Sequence, residues 1–107
     1  MADWMWTGRH EKRTTRAIPV RISSLEEPSA TEPSTTENVS SLGVRVLVSH
    51  ARGMNERMLI KPADGELLAD ARVVYCERLV DGRFALGLEF HGEVPSWLKK
   101  SMGYGDD

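Results

Sequence analysis

Short runs of alternating apolar and polar residues recur along this chain, separated by clusters of Gly, Pro, Asp and Asn. Alternation with a period of two marks a strand with one buried face. Ile18, Val20 and Ile22 alternate with Pro19 and Arg21, and Pro19 sets a strand start or a sheet edge because it lacks an N–H. Val44, Val46 and Val48 alternate with Arg45 and Leu47. Met58-Leu59-Ile60 is a short apolar strand, closed by Pro62 and the turn pair Asp64-Gly65. From Leu67 to Leu79, the pattern puts Ala71, Val73 and Tyr75 on one face and Arg72 and Arg78 on the other. Asp81-Gly82 is a hairpin signal, and after it Phe84, Leu86, Leu88 and Phe90 alternate with Ala85, Gly87 and Glu89.

Other stretches lack this pattern. Between Ser23 and Glu37 the chain holds only Ser, Glu, Thr and Pro apart from Leu25 and Ala30, so residues 23–34 read as an acidic, solvated loop. Thr35-Thr36 is the point at which a further strand can open. His50 to Glu56, with Gly53 and Asn55, reads as a loop. Pro95 to Lys100 reads as a short helix, with Pro95 in its first turn and two lysines at its C-terminal dipole. Trp97 and Leu98 would plug a barrel mouth. Residues 1–8 and 99–107 read as tails. Short strands joined by Gly, Asp and Pro turns predict an all-β fold: a small six-stranded antiparallel barrel with a short C-terminal helix. Closure into a barrel removes the unpaired edges that a single small sheet would expose.

Composition narrows the function. The 107 residues are 40% hydrophobic and 28% charged, which fits one domain with one modest core and excludes a large multi-layer enzyme. The single cysteine, Cys76, forms no internal disulfide and reads as a small buried side chain, compatible with a reducing cytoplasm. The first residues do not read as a secretory signal, and no run of about 18 apolar residues suggests membrane insertion. His10, His50 and His91 lack metal-ligand spacing. No nucleophile elbow, phosphate-binding glycine loop or paired catalytic carboxylates stand out, so no enzyme and no cofactor are expected.

Charge adds a positive indication. Net charge is −2, yet the window Arg9–Arg21 carries +4 and the remainder −6. A short basic segment (Arg9, Lys12, Arg13 and Arg16, then Arg21) therefore sits on an acidic body, as a solvated arm or as a local anion site. The arginine fork meets phosphate oxygens two at a time, and it also matches the O6 and N7 edge of guanine. Binding of single-stranded DNA or RNA is disfavoured: Phe84 and Phe90 read as core, and the body outside the arm is acidic. The second candidate feature is Asn38-Val39-Ser40-Ser41-Leu42-Gly43, either a polar bend between strands or a small polar cup.

Basic residues before the first strand, followed about two dozen residues later by [Asp/Asn]-x-Ser-x-x-Gly, resemble a PilZ domain. Asn38, Ser40 and Gly43 fill the second motif, Val44-Arg45-Val46 fits the strand after it, and Gly87-Leu88-Glu89-Phe90 fits the closing strand. The resemblance spans about residues 9 to 98. It implies a six-stranded barrel that binds the bacterial second messenger cyclic di-GMP. The family's first motif, Arg-x-x-x-Arg, has two possible registers here. Arg9 and Arg13 satisfy its letters. The strand-anchored register instead selects Arg16 with Lys12 four residues earlier, and is favoured because the loop must wrap the ligand from a fixed strand. Lysine keeps the charge but loses the fork. The implied ligand site is Arg9, Lys12, Arg13, Arg16, Asn38, Ser40 and Gly43, with Trp4 and Trp6 available to stack on a base. A small barrel must pass its signal on, so a downstream protein partner is implied. The alternative is a degenerate PilZ-like adaptor that binds no nucleotide and acts through protein contacts.

Overall fold

The alternating segments form strands whose apolar faces turn to a common interior. The computed structural model describes residues 14–15, 17–65, 67–92 and 95–97. Among them run β1 (Thr14–Thr15), β2 (Pro19–Ser24), β3 (Glu27–Val39), β4 (Gly43–Val48), β5 (Arg57–Pro62), β6 (Ala69–Arg78) and β7 (Phe84–Phe90). All pairings are antiparallel. The order β3-β2-β5-β6-β7-β4 closes through a β3–β4 pairing, giving a six-stranded barrel, with β1 added along β3.

Inside lie Val20 and Ile22 of β2, Val44, Val46 and Val48 of β4, Met58 and Ile60 of β5, Ala71 and Val73 of β6, and Leu86, Leu88 and Phe90 of β7. Each fully buried Leu, Ile or Met here stabilises the fold by about 1.5–3 kcal/mol. Trp97 packs against this cluster, as expected of a plug, and Ser96–Trp97 has helical backbone. Leu98 to Lys100 lie outside the described residues, as do the tails. The turn pairs read from sequence close their hairpins. Gly82 takes a φ of 91°, a conformation side chains disfavour, and its N–H reaches the Leu79 carbonyl at 3.1 Å.

Two expectations are corrected. Residues 23–34 are not a loop: only Leu25-Glu26 turn, and β3 begins at Glu27. β3 is a strand because of its neighbours rather than its own pattern, pairing with β2 from Thr35 back to Glu27 and with β4 from Thr36 to Val39. Up to Thr35 it has no buried residue, so no apolar alternation marks it. Its prolines also misled the reading. The Thr36 N–H bonds to the Ile18 carbonyl, so Thr36, Ser34 and Glu32 turn their backbone groups to β2. Pro33 falls on the alternate positions, where β3 lacks a strand neighbour, and its missing N–H costs no ladder bond.

The second correction concerns Tyr75. A register shift between Val73 and Tyr75 reverses the parity of β6. Val73 still faces the core, but beyond the shift Cys76, half-buried, packs against it instead. Tyr75 turns outward and lies over Gly87, where an added Cβ would come within 2.2 Å of the ring.

Candidate functional site

The segment Asn38–Gly43 joins β3 to β4 and has its own internal bonding. The Ser40 N–H donates to the Gly43 carbonyl at 2.9 Å. The Ser40 hydroxyl accepts from the N–H groups of Leu42 (3.1 Å) and Gly43 (3.2 Å). Ser40 is fully buried, so its hydroxyl satisfies turn donors that would otherwise lie unpaired in the interior. Gly43 is fixed by a close approach: a Cβ there would sit 1.9 Å from the Leu88 carbonyl oxygen of β7. The Phe90 N–H also bonds to the Leu42 carbonyl, tying the turn to β7. Ser40 and Gly43 thus build the turn, while Ser41 and Leu42 form its exposed tip.

Asn38 has a different setting. It is half-buried near the end of β3, opposite Arg45 of β4 on one side and Thr15 of β1 on the other. β1 pairs Thr14 with Val39 and Thr15 with Asn38, so the chain entering the barrel runs directly along the motif. Buried Thr36 anchors the entry: its hydroxyl accepts the Ile18 N–H at 2.9 Å, and its own N–H reaches the Ile18 carbonyl at 3.1 Å. The register of β1 against β3 is offset by one residue from that of β2. Arg9, Lys12, Arg13 and Arg16, along with Trp4 and Trp6, lie outside the described residues. Arg13 immediately precedes β1 in the chain, and Arg16 immediately follows it.

Beside Asn38, the outer wall carries a polar cluster that the sequence reading did not single out. Arg45 donates from Nε to Glu37 (2.7 Å) and from Nη1 to the Tyr75 hydroxyl (3.0 Å) and Glu77 (3.1 Å). Its guanidinium also stands 5.8 Å from the Tyr75 ring centroid. Burial alone disfavours the Arg45 charge, but the bonds to Glu37, Tyr75 and Glu77 outweigh it and hold its pKa above the ordinary value. The available signal was a lone arginine among valines on β4; of its partners, Glu37 comes from β3, and Tyr75 and Glu77 from β6 beyond the register shift. Glu89, part of the closing-strand resemblance, pairs with Arg72 at 2.6 Å.

The larger surface hollows lie elsewhere. Two of about 520 and 510 Å³ share Glu32, Pro33 and Ser49 along the open side of β3, and neither is lined by Asn38. Among the described residues no group of three His, Cys, Asp or Glu side chains is placed to hold a metal ion. No described helix is long and apolar enough to cross a membrane.

No protein-family model matches the chain, and no curated protein matches it. Solved structures do. The barrel superposes on the inhibitor of motility MotI/DgrA of Bacillus subtilis with a TM-score of 0.62 at 17% identity, covering 89% of this chain. This chain spans 47% of that protein's length. It superposes on the PilZ domain of CeSA from a cellulose-synthesizing bacterium with a TM-score of 0.55 at 25% identity, covering 76% of this chain and 83% of that one. With its closed six-stranded barrel, the chain is a PilZ-like domain.

Proposed function

We propose that this chain is a receptor domain for cyclic di-GMP that relays ligand binding to a partner protein in the cytoplasm. One observation carries the reading: β1, flanked in sequence by Arg13 and Arg16, pairs directly with Asn38 and Val39. In this reading the basic residues next to β1 in sequence and the Asn-x-Ser-x-x-Gly motif serve one ligand site. In this reading Arg16 and Arg13 take phosphate oxygens and guanine edges, and Lys12 and Arg9 add charge. Asn38 supplies the amide. Ser40 and Gly43 act by shaping the turn that presents it, since the Ser40 hydroxyl is already engaged there. Binding orders the arm against the barrel, and that change is what a partner senses. Likeness to a protein named as an inhibitor of motility agrees with action through another component.

The test is isothermal titration of cyclic di-GMP into the wild type and Arg16→Ala, checked by equilibrium dialysis. The expected result is saturable wild-type binding, weakened in the variant by about 10- to 150-fold, the worth of a charge-assisted contact of about 1.5–3 kcal/mol. Unchanged affinity in Arg16→Ala would favour the Arg9–Arg13 register. A second reading, a nucleotide-independent adaptor, is favoured by Lys12 standing where the family carries arginine and by the burial of Ser40. It predicts no binding at millimolar ligand by either method.

A further inference from the structure

One row of residues runs across five strands of the barrel. Thr15 of β1 stands opposite Asn38 of β3, Asn38 opposite Arg45 of β4, Arg45 opposite Gly87 of β7, and Gly87 opposite Tyr75 of β6. Residues opposite one another share a face of the sheet, and the bond between Arg45 and Tyr75 puts this row on the outer wall. The register shift between Thr36 and Asn38 makes Glu37 an extra residue on β3, so two β3 residues, Glu37 and Asn38, meet Arg45. Neighbouring strands lie about 4.8 Å apart, a step that one nucleotide bridges.

The Arg45 cluster leaves particular atoms open. Elsewhere on the barrel, Arg57 closes both arms of its fork on Asp70, Nε on Oδ1 and Nη2 on Oδ2. Arg45 closes only Nε on Glu37 Oε1, and its Nη1 donates to Tyr75 and Glu77. Among the described residues no hydrogen bond uses Arg45 Nη2 or Glu37 Oε2. The open half of this fork is a donor beside an acceptor. It is accessible, with 19% of the Arg45 side chain and 42% of the Glu37 side chain exposed. Glu37 and Glu77 flank Arg45, so a phosphate would meet two negative charges beside one positive. A neutral base meets no such repulsion.

We infer that Arg45 and Glu37 read the Watson–Crick edge of one guanine of cyclic di-GMP and so set its selectivity over adenine. The inference rests on the receptor reading above. Guanine presents its O6 acceptor next to two donors, N1–H and the N2 amine. O6 accepts from Arg45 Nη2, and the Glu37 carboxylate accepts from N1–H. Adenine inverts the order: its N6 amine faces the guanidinium and its N1 lone pair faces the carboxylate, so both contacts are mismatched. The bonds to Glu37, Tyr75 and Glu77 hold the guanidinium in place before the ligand arrives. Arg45 thus adds, from the barrel wall, an arginine contact to a base edge that Lys12 of the arm cannot make.

Isothermal titrations of cyclic di-GMP and cyclic di-AMP into the wild type, Glu37→Gln and Glu77→Gln test this. The wild type is expected to bind cyclic di-GMP about a hundredfold or more tightly than cyclic di-AMP. In Glu37→Gln the amide oxygen keeps the Arg45 bond while the amine replaces the open acceptor, so the ratio is expected to fall about tenfold or more. Glu77→Gln alters the Nη1 side of Arg45 instead, and is expected to leave the ratio within about twofold of wild type. An unchanged ratio in Glu37→Gln, an equal fall in both variants, or no preference in the wild type would overturn the guanine subsite and leave the receptor reading in place. Wild-type binding of neither ligand would overturn the receptor reading itself, and this subsite with it.

Discussion

The two ends of β3 are the same strand built by different means. From Thr36 to Val39 it lies between two strands, buries Thr36 and Val39, and carries Asn38, the first residue of the Asn-x-Ser-x-x-Gly motif. From Glu27 to Thr35 it has β2 alone for a neighbour and buries nothing. In place of a ladder, the Ser34 hydroxyl bonds to the Leu47 carbonyl, and Glu32 accepts from the Ser49 N–H and hydroxyl. Packing therefore fixes one half, and pairing with exposed side-chain bridges holds the other. A position's burial, more than its membership of a strand, decides what a substitution there costs.

The largest expected effect lies where the motif meets β7. Gly43→Ala drives a Cβ into the Leu88 carbonyl, and two backbones have to part. The expected loss is about 3 kcal/mol or more in urea unfolding, at the upper end of overpacking costs. Next, the two halves of β3 are compared directly. Val39→Ala is expected to cost about 2 kcal/mol and Ser29→Ala to fall within about 0.5 kcal/mol of wild type. Equal losses would break the contrast. Ser40→Ala leaves the Leu42 and Gly43 N–H groups without their acceptor, for an expected loss of about 1–2 kcal/mol.

The smallest effect lies away from β3, in the β6–β7 hairpin. The Arg83 N–H and guanidinium hold the Asp81 carboxylate below its ordinary pKa. A depressed folded-state pKa gives stabilisation that is complete above the unfolded value of about 3.9 and is lost as pH falls through the folded value. Asp81 is fully exposed, so the change is small. A carboxyl titration by NMR is expected to show a low midpoint that rises only part of the way to normal in Arg83→Gln, because the backbone N–H of residue 83 still donates to Asp81.

The same contrast explains what was legible in the sequence. β2, β4, β5 and β7, and β6 as far as Val73, each place Val, Ile, Met, Leu, Ala or Phe at alternate positions that turn to the core. The first half of β3 buries no face, and its Pro, Ser and Glu content marks a loop by every local criterion. Only its pairing with β2 makes it a strand. Tyr75 was misplaced for a related reason: a single register shift reverses the side-chain parity, and no residue type on β6 announces it. Within the candidate site, Asn38, Ser40 and Gly43 were found by spacing. Spacing gave no sign that Ser40 and Gly43 serve the turn while Asn38 lies along β1. That division depends on Leu88 and Thr15, which are remote in sequence.

The central claim is that arm and motif form one ligand site. A double-mutant cycle on cyclic di-GMP affinity, with Arg16→Ala, Asn38→Ala and the double variant, tests it most directly. Each single substitution is expected to weaken binding, and the double to lose less than their sum, with a coupling of about 0.5–3 kcal/mol. Wild-type affinity in Asn38→Ala, or additivity within about 0.3 kcal/mol when both single variants bind more weakly, would contradict it.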